Sequence, residues 1–175
     1  MTELATVYLM IGVRFGGFLQ EDQQDALMEL LSEEIGEVQE SDLFIIGSAY
    51  GFDSVVLKWL AFQPVKPKVR VIAPFRTATD TWPREAAREF SETIEALNAD
   101  LTWVAQQHDV GVYTRRDIEA TNAARKASEQ SGAELQAIVL WPGHPGVLAD
   151  AILGAVNAGA WLHNIYPAFR HYIQQ

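Results

Sequence analysis

The chain has 175 residues, 49% of them hydrophobic, enough for one compact domain (residues 1–175) with a substantial core. A formal charge of −10 argues against a main task of gripping nucleic acid, because binding a phosphate backbone calls for a basic face. The absence of cysteine excludes disulfides and thiolate metal sites. No apolar stretch reaches the ~20 residues of a bilayer span, and MTELATVYLMIGV lacks the basic leader of a signal peptide, so a cytoplasmic protein without membrane contact is expected.

Residues 5–13, ATVYLMIGV, form an apolar, partly β-branched run that suits a strand buried on both faces. The turn RFGG leads to residues 21–35, where Ala26, Leu27, Leu30, Leu31 and Ile35 recur at helical spacing. LFIIG (43–47) reads as a second buried strand, and FDSVVLKWLAF (52–62) as a helix. VRVIAP (69–74) is a third strand, which Pro74 is expected to close. The loop 74–82, PFRTATDTW, is the most irregular region and a candidate rim or lid. Residues 83–97 follow as a helix with Pro83 at its first turn.

LTWVA (101–105) reads as a short extra strand, and RRDIEATNAARKASEQSG (115–132) as a polar helix that Gly132 stops. LQAIVLW (135–141) is a further main strand, followed by a helix over 147–158. AWLHNI (160–165) suits a last strand, and AFRHYIQQ a docked or frayed tail. Strands alternating with helices imply a Rossmann-like three-layer α/β fold, a mostly parallel sheet flanked by helices.

Charge is distributed unevenly. Arg14 is the only base before Lys58, whereas Lys58, Lys66, Lys68, Arg70, Arg76, Arg84, Arg88, Arg115, Arg116, Arg125 and Lys126 crowd the middle of the chain. A local positive pocket on an acidic body suits a small anion better than a polymer. Open parallel sheets bind ligands outside the carboxyl ends of their strands. Here those ends carry GVRFGG (12–17), GSAYGFD (47–53), APFR (73–76) and PGHPG (142–146). Glycine lets backbone N–H groups approach an anion without a Cβ in the way, although strand-to-helix turns carry glycine for purely structural reasons too. The helix that begins near Val147 would aim its N-terminal N–H groups at the same space.

The order of these segments resembles the SLOG superfamily, which includes the Lonely Guy phosphoribohydrolases, the DNA-uptake processing proteins and many small bacterial and phage proteins. Gly12 and Arg14 match its turn after strand one. Gly47, Ala49, Gly51 and Asp53 match its GGARGAD-like segment, with Ser48 in place of a glycine and Tyr50 in place of an arginine. Arg115 and Arg116 stand where the family has a basic pair. Pro142, Gly143, Gly146 and Asp150 fall in the spacing of its PGGxGTxxE motif, where His144 replaces the second glycine, Val147 the threonine and Asp150 the glutamate.

The resemblance implies a nucleotide-like ligand, no cofactor, and a homodimer formed through helices that flank the site. For a Lonely Guy-like hydrolysis it implies Asp150 and Arg115 as the catalytic pair. A carboxylate near the anomeric carbon would stabilise oxocarbenium character, with arginine on the phosphate. The implied ligand-binding set is Gly12, Arg14, Gly47, Ser48, Gly51, Asp53, Arg116, Gly143, His144, Gly146 and Val147. Aspartate is one methylene shorter than glutamate, and a misplacement of about 1 Å costs roughly 100-fold in rate.

Each residue also has a plain structural role open to it. Asp150 sits in a first helical turn, where a carboxylate complements the helix dipole. Asp53 suits a helix cap as well as a ribose contact. Arg115 and Arg116 near a helix N-terminus invite an anion, because positive charge is disfavoured there. His144 in such a loop would donate to an anion or act as an acid near neutral pH. His108, His163 and His171 share no ligand spacing, so no metal site is expected. The tryptophans read as packing, with Trp82 in the irregular loop as the exception.

Three functional readings follow. The preferred one is a module that holds a nucleoside monophosphate or an ADP-ribose-like molecule without turning it over. The second is a phosphoribohydrolase that cleaves the N-glycosidic bond of a nucleoside monophosphate. The third is single-stranded DNA binding.

Overall fold

A computed structural model describes residues 3–175. In chain order the elements are β1 (Thr6–Gly12), α1 (Gln24–Ile35), β2 (Leu43–Gly47), α2 (Phe52–Phe62), β3 (Lys68–Phe75), α3 (Arg84–Ala96), β4 (Asp100–Ala105), α4 (Val112–Ser131), β5 (Glu134–Leu140), α5 (Val147–Asn157), β6 (Trp161–Asn164) and α6 (Tyr166–Ile173). The six strands form one sheet in the order β4-β3-β2-β1-β5-β6, and every pairing is parallel. This is the Rossmann-like α/β architecture that the strand-helix alternation implies.

Alternate strand residues feed two cores, as the pleat requires. Tyr8, Met10, Phe44 and Ile46 face α1, α2 and α6, where Leu27, Leu31, Val56, Leu60 and Phe169 are buried. Val7, Leu9, Leu43 and Ile45 face α4 and α5, meeting Ala120, Ala124, Ile152 and Ala155. Both faces of β1 and β2 are therefore dry, which explains why these strands read as unbroken apolar runs. No helix among the described residues is long and apolar enough to cross a membrane.

The connectivity reverses at β1. From it the chain builds outward through β2 and β3 to the edge strand β4. The 20-residue α4 then returns across the opposite face to deliver β5 to the free side of β1. At ~1.5 Å per residue that helix spans about 30 Å, enough to cross the sheet. The carboxyl end of β1 thus has β2 on one side and β5 on the other, and the start of α4 comes down beside it.

Several boundaries differ from the sequence reading. Pro74 lies inside β3 rather than closing it. β2 has already ended opposite Ile72, so the missing N–H costs no ladder bond on that side. The start of α4 is Val112, not Arg115. Gly111 adopts a left-handed conformation (φ 83°) that turns the chain into the helix, and Val112 is fully buried. The irregular loop holds a 3-10 turn at Ala78–Thr81. The tail is the helix α6, anchored by the fully buried Phe169.

Two of the glycines at the sheet edge are required by packing. A Cβ on Gly12 would stand 2.3–2.5 Å from the side chain of Phe52, itself fully buried. A Cβ on Gly51 would meet the Arg14 Cα at 2.5 Å and the Val13 carbonyl oxygen at 2.7 Å. We predict that Gly12→Ala lowers unfolding stability by about 1–3 kcal/mol, because overpacking forces Phe52 to move. Gly154→Ala, inside α5 with ordinary helical φ and nothing within 4 Å of the added carbon, is predicted to cost nothing or to stabilise by up to about 1 kcal/mol. Urea denaturation of the two variants beside the parent measures the difference, and equal losses would refute the packing role of Gly12.

Candidate functional site

A cavity of about 560 Å³ opens at the carboxyl end of β1. Its mouth is formed by the loop after β1 (Val13, Arg14, Phe15), the loop after β2 (Gly47, Ala49) and the first turns of α4 (Tyr113, Arg116, Asp117). It is lined further by Leu9 and Ile11 of β1, Ala120 and Thr121 of α4, and Val147, Leu148 and Ala151 of α5. The volume falls in the range of small-molecule sites, and the place is the one that the strand reversal at β1 selects.

The loop after β1 is held by backbone hydrogen bonds to the turn before α2. Phe52 N–H donates to the Val13 carbonyl (3.0 Å) and Phe15 N–H to the Tyr50 carbonyl (3.0 Å), so Arg14 and Gly51 pair as an isolated antiparallel bridge. This clasp places Arg14 at the mouth. Its guanidinium lies 4.9 Å from the ring centroid of Tyr113, and that of Arg116 lies 5.7 Å from the same ring. Cation–π attraction draws both arginines to Tyr113.

Asp53 lies buried beneath them. Its Oδ2 accepts a hydrogen bond from Ala49 N–H (3.0 Å), so the carboxylate braces the loop after β2 instead of capping its own helix. Gly47 is glycine for the same reason: a Cβ there would stand 2.8 Å from Asp53 Oδ2 and 3.5 Å from the Arg116 guanidinium. Burial pushes the Asp53 carboxyl up to about 6, against the opposing pull of Arg116, the Ala49 N–H and Arg14, while Asp117 adds to the rise.

Arg116 donates from Nε (3.0 Å) and Nη2 (2.8 Å) to Oδ1 of Asp117, and both side chains are largely buried, at 13% and 19% exposure. Its Nη1 is buried without a partner among the described residues, as is Ser48 Oγ. A buried guanidinium N–H with no acceptor is costly.

The structure therefore gathers Gly12, Arg14, Gly47, Asp53, Arg116 and Val147 in one cavity wall. Ser48 is buried just behind it, and Gly51 supports the Arg14 loop. The remaining sequence candidates lie elsewhere. Arg115 donates to Asp109 (2.7 Å) on the far side of α4, at a groove shared with β3 and β4, and this contact holds the Asp109 carboxyl below its usual range. Asp150 is exposed in an outer groove between α4 and α5, with Ile118, Arg125 and Asn157.

Gly143, His144 and Gly146 sit in an exposed turn that does not line the cavity. Trp141 Nε1–H donates to the His144 carbonyl (2.9 Å), and the His144 ring lies 5.0 Å from that of Phe18. Sequence reasoning missed Tyr113, Asp117 and Thr121. With Arg116 and Ala120 they repeat at the i, i+3, i+4, i+7, i+8 spacing of one helix face, a pattern that emerges once α4 begins at Val112. Among the described residues no group of three or more His, Asp or Glu side chains is placed to hold a metal ion.

No family model matches the chain, and no curated protein matches it. Among solved structures, DNA processing protein A (DprA) from Streptococcus pneumoniae is similar at 11% identity with a TM-score of 0.49, over 92% of this chain and 59% of that one. The chain thus spans less than two thirds of that protein's length.

The raised Asp53 pKa has a definite sign in stability. Between the unfolded value near ~4 and about 6, the folded state holds a proton that the unfolded state has lost. Stability therefore falls as pH rises through this window. The Asp53 contribution is on the order of 2–3 kcal/mol. The expected outcome is that Asp53→Asn flattens the pH 4–6 stability profile relative to the parent, with the rise at Asp42 common to both proteins. Parallel profiles in urea titrations would contradict the assignment.

Proposed function

We propose that the cavity at the end of β1 binds a small anion derived from a nucleotide, either a nucleoside monophosphate or an ADP-ribose-like molecule. The observation that carries this reading is the convergence of Arg14 and Arg116 on Tyr113 at the mouth, with Arg116 Nη1 left without an acceptor. Charge-assisted hydrogen bonds from a guanidinium to a phosphate oxygen are the strong kind, and the partly closed setting keeps them from full solvent screening.

Binding without turnover is the favoured form. Asp150 and Arg115, which the resemblance to Lonely Guy-like enzymes would make catalytic, both stand outside the cavity wall. The two carboxylates that do belong to it are committed: Asp53 to the Ala49 N–H and Asp117 to Arg116. A single-stranded DNA partner has less support still. The net charge is −10, and Lys58, Arg70, Arg88, Arg115 and Arg125 each pair with a nearby carboxylate, which weakens the attraction for a phosphate backbone.

In calorimetric titration with a panel of nucleoside monophosphates, Arg14→Ala and Arg116→Ala are expected to weaken binding by about 10- to 100-fold. Arg115→Ala and Asp150→Ala are expected to leave it unchanged. Loss of affinity in the second pair, or release of free base that disappears in Asp150→Ala, would overturn the proposal.

A further inference from the structure

Asp53 is a buried carboxyl that nevertheless lines the cavity, together with Arg14 and Arg116. The position that a Cβ on Gly47 would take lies 2.8 Å from Asp53 Oδ2 and 3.5 Å from Arg116 Cζ. Carboxylate and guanidinium thus flank one point, close enough to feel each other's charge in a buried setting. The direct ion-pair partner of Arg116 is Asp117, which takes Nε and Nη2 and leaves Nη1 without an acceptor. An anion held by Arg14 and Arg116 would therefore stand beside a second negative charge whenever Asp53 is ionised. Two like charges at one buried site are not both favoured.

We infer that the anion site is coupled to a proton: a bound anion and an ionised Asp53 compete for the same two arginines, so the anion enters together with one proton on the Asp53 carboxyl. The inference rests on the anion binding proposed above and adds its regulation. The proton comes from solvent, and the only bond formed is the carboxyl O–H. Burial already pushes this carboxyl up to about 6, and a neighbouring anion acts in the same direction. Affinity is therefore highest on the acid side of that value and falls as pH rises through it. The other ionisable groups around Asp53 are Arg14 from the loop after β1 and Tyr113, Arg116 and Asp117 from α4. The α5 residues in the lining, Val147, Leu148 and Ala151, carry no charge. Lys58, on the same helix as Asp53, pairs with Glu89 of α3. Among the described residues no histidine lines the cavity. His108 approaches only through Tyr113, at 6.1 Å between rings.

The test titrates the full chain with sulfate, whose double charge is constant across the range, at fixed ionic strength. Binding is followed through the amide signals of Arg14 and Arg116. In the parent, sulfate is expected to bind at least about fivefold more weakly at about pH 7.5 than at about pH 5, with a ceiling of about 30-fold for one group titrating near 6. Asp53→Asn is expected to bring the two affinities within about twofold of each other, and His108→Gln to keep the parent's dependence. A measurement on the parent alone covers an Asp53→Asn that fails to fold. By reciprocity, saturating sulfate is expected to raise the carbon-13 titration midpoint of the Asp53 carboxyl by at least about 0.7 pH.

An affinity that does not change with pH, a dependence that survives Asp53→Asn or vanishes in His108→Gln, or an unmoved Asp53 midpoint overturns the coupling and leaves the anion site standing. Sulfate that moves neither arginine amide at acid pH overturns the coupling and the anion site together.

Discussion

Phe52 N–H bonds to the Val13 carbonyl and Phe15 N–H to the Tyr50 carbonyl, and these two contacts clasp the loop after β1 to the turn before α2. The position of Arg14 depends on that clasp, and the clasp depends on bare backbone at Gly12 and Gly51. Gly12 leaves room for the ring of Phe52, and Gly51 lets the two loops touch. The glycines at this edge of the sheet therefore act at one remove from a ligand. They bring loops within hydrogen-bonding distance, and the loops then carry the side chains that face the cavity.

Electrostatic balance follows from the same geometry. Asp53 is buried where a lone carboxylate would be expensive, and the Ala49 N–H and Arg116 offset part of that cost. Arg116 is in turn steadied by Asp117, its neighbour in the chain, and by the ring of Tyr113. Arg14 enters from a different element. Among the described residues it has no carboxylate within salt-bridge distance, so it is the cation at the mouth that is free to meet an anion. Five other bases, Lys58, Arg70, Arg88, Arg115 and Arg125, pair with carboxylates on the surface. Exposed pairs of that kind add little to stability.

Much of the fold was legible in the sequence because burial on both faces leaves a plain trace. ATVYLMIGV and LFIIG admit few readings other than central parallel strands, and the alternation with amphipathic segments set the architecture. Reading failed where tertiary context outweighed a local rule. Pro74 is tolerated inside β3 because its neighbour β2 has ended, a fact of register that no local pattern carries. The start of α4 was placed three residues late because Gly111 and Val112 look like loop until Val112 is seen to be buried.

That shift matters for the site. Counting from Arg115 hides the face that runs through Tyr113, Arg116, Asp117, Ala120 and Thr121, and it makes Arg115 and Arg116 look equivalent. They project about 100° apart around the helix, one to Asp109 and the other to the cavity. Asp150 shows the same limit: its motif spacing was clear, but the rotation of α5 that turns it toward the outer groove was not.

The central claim is that ligand recognition is built on the loop after β1 and the face of α4, not on the glycine-rich turn before α5. An amide-resolved NMR titration with adenosine 5′-monophosphate addresses it directly. The account predicts shifts concentrated at Gly12–Phe15, Ala49 and Tyr113–Asp117, with little change at Gly143–Gly146. Shifts confined to Gly143–Gly146 and the amides of Val147 and Leu148 would contradict it.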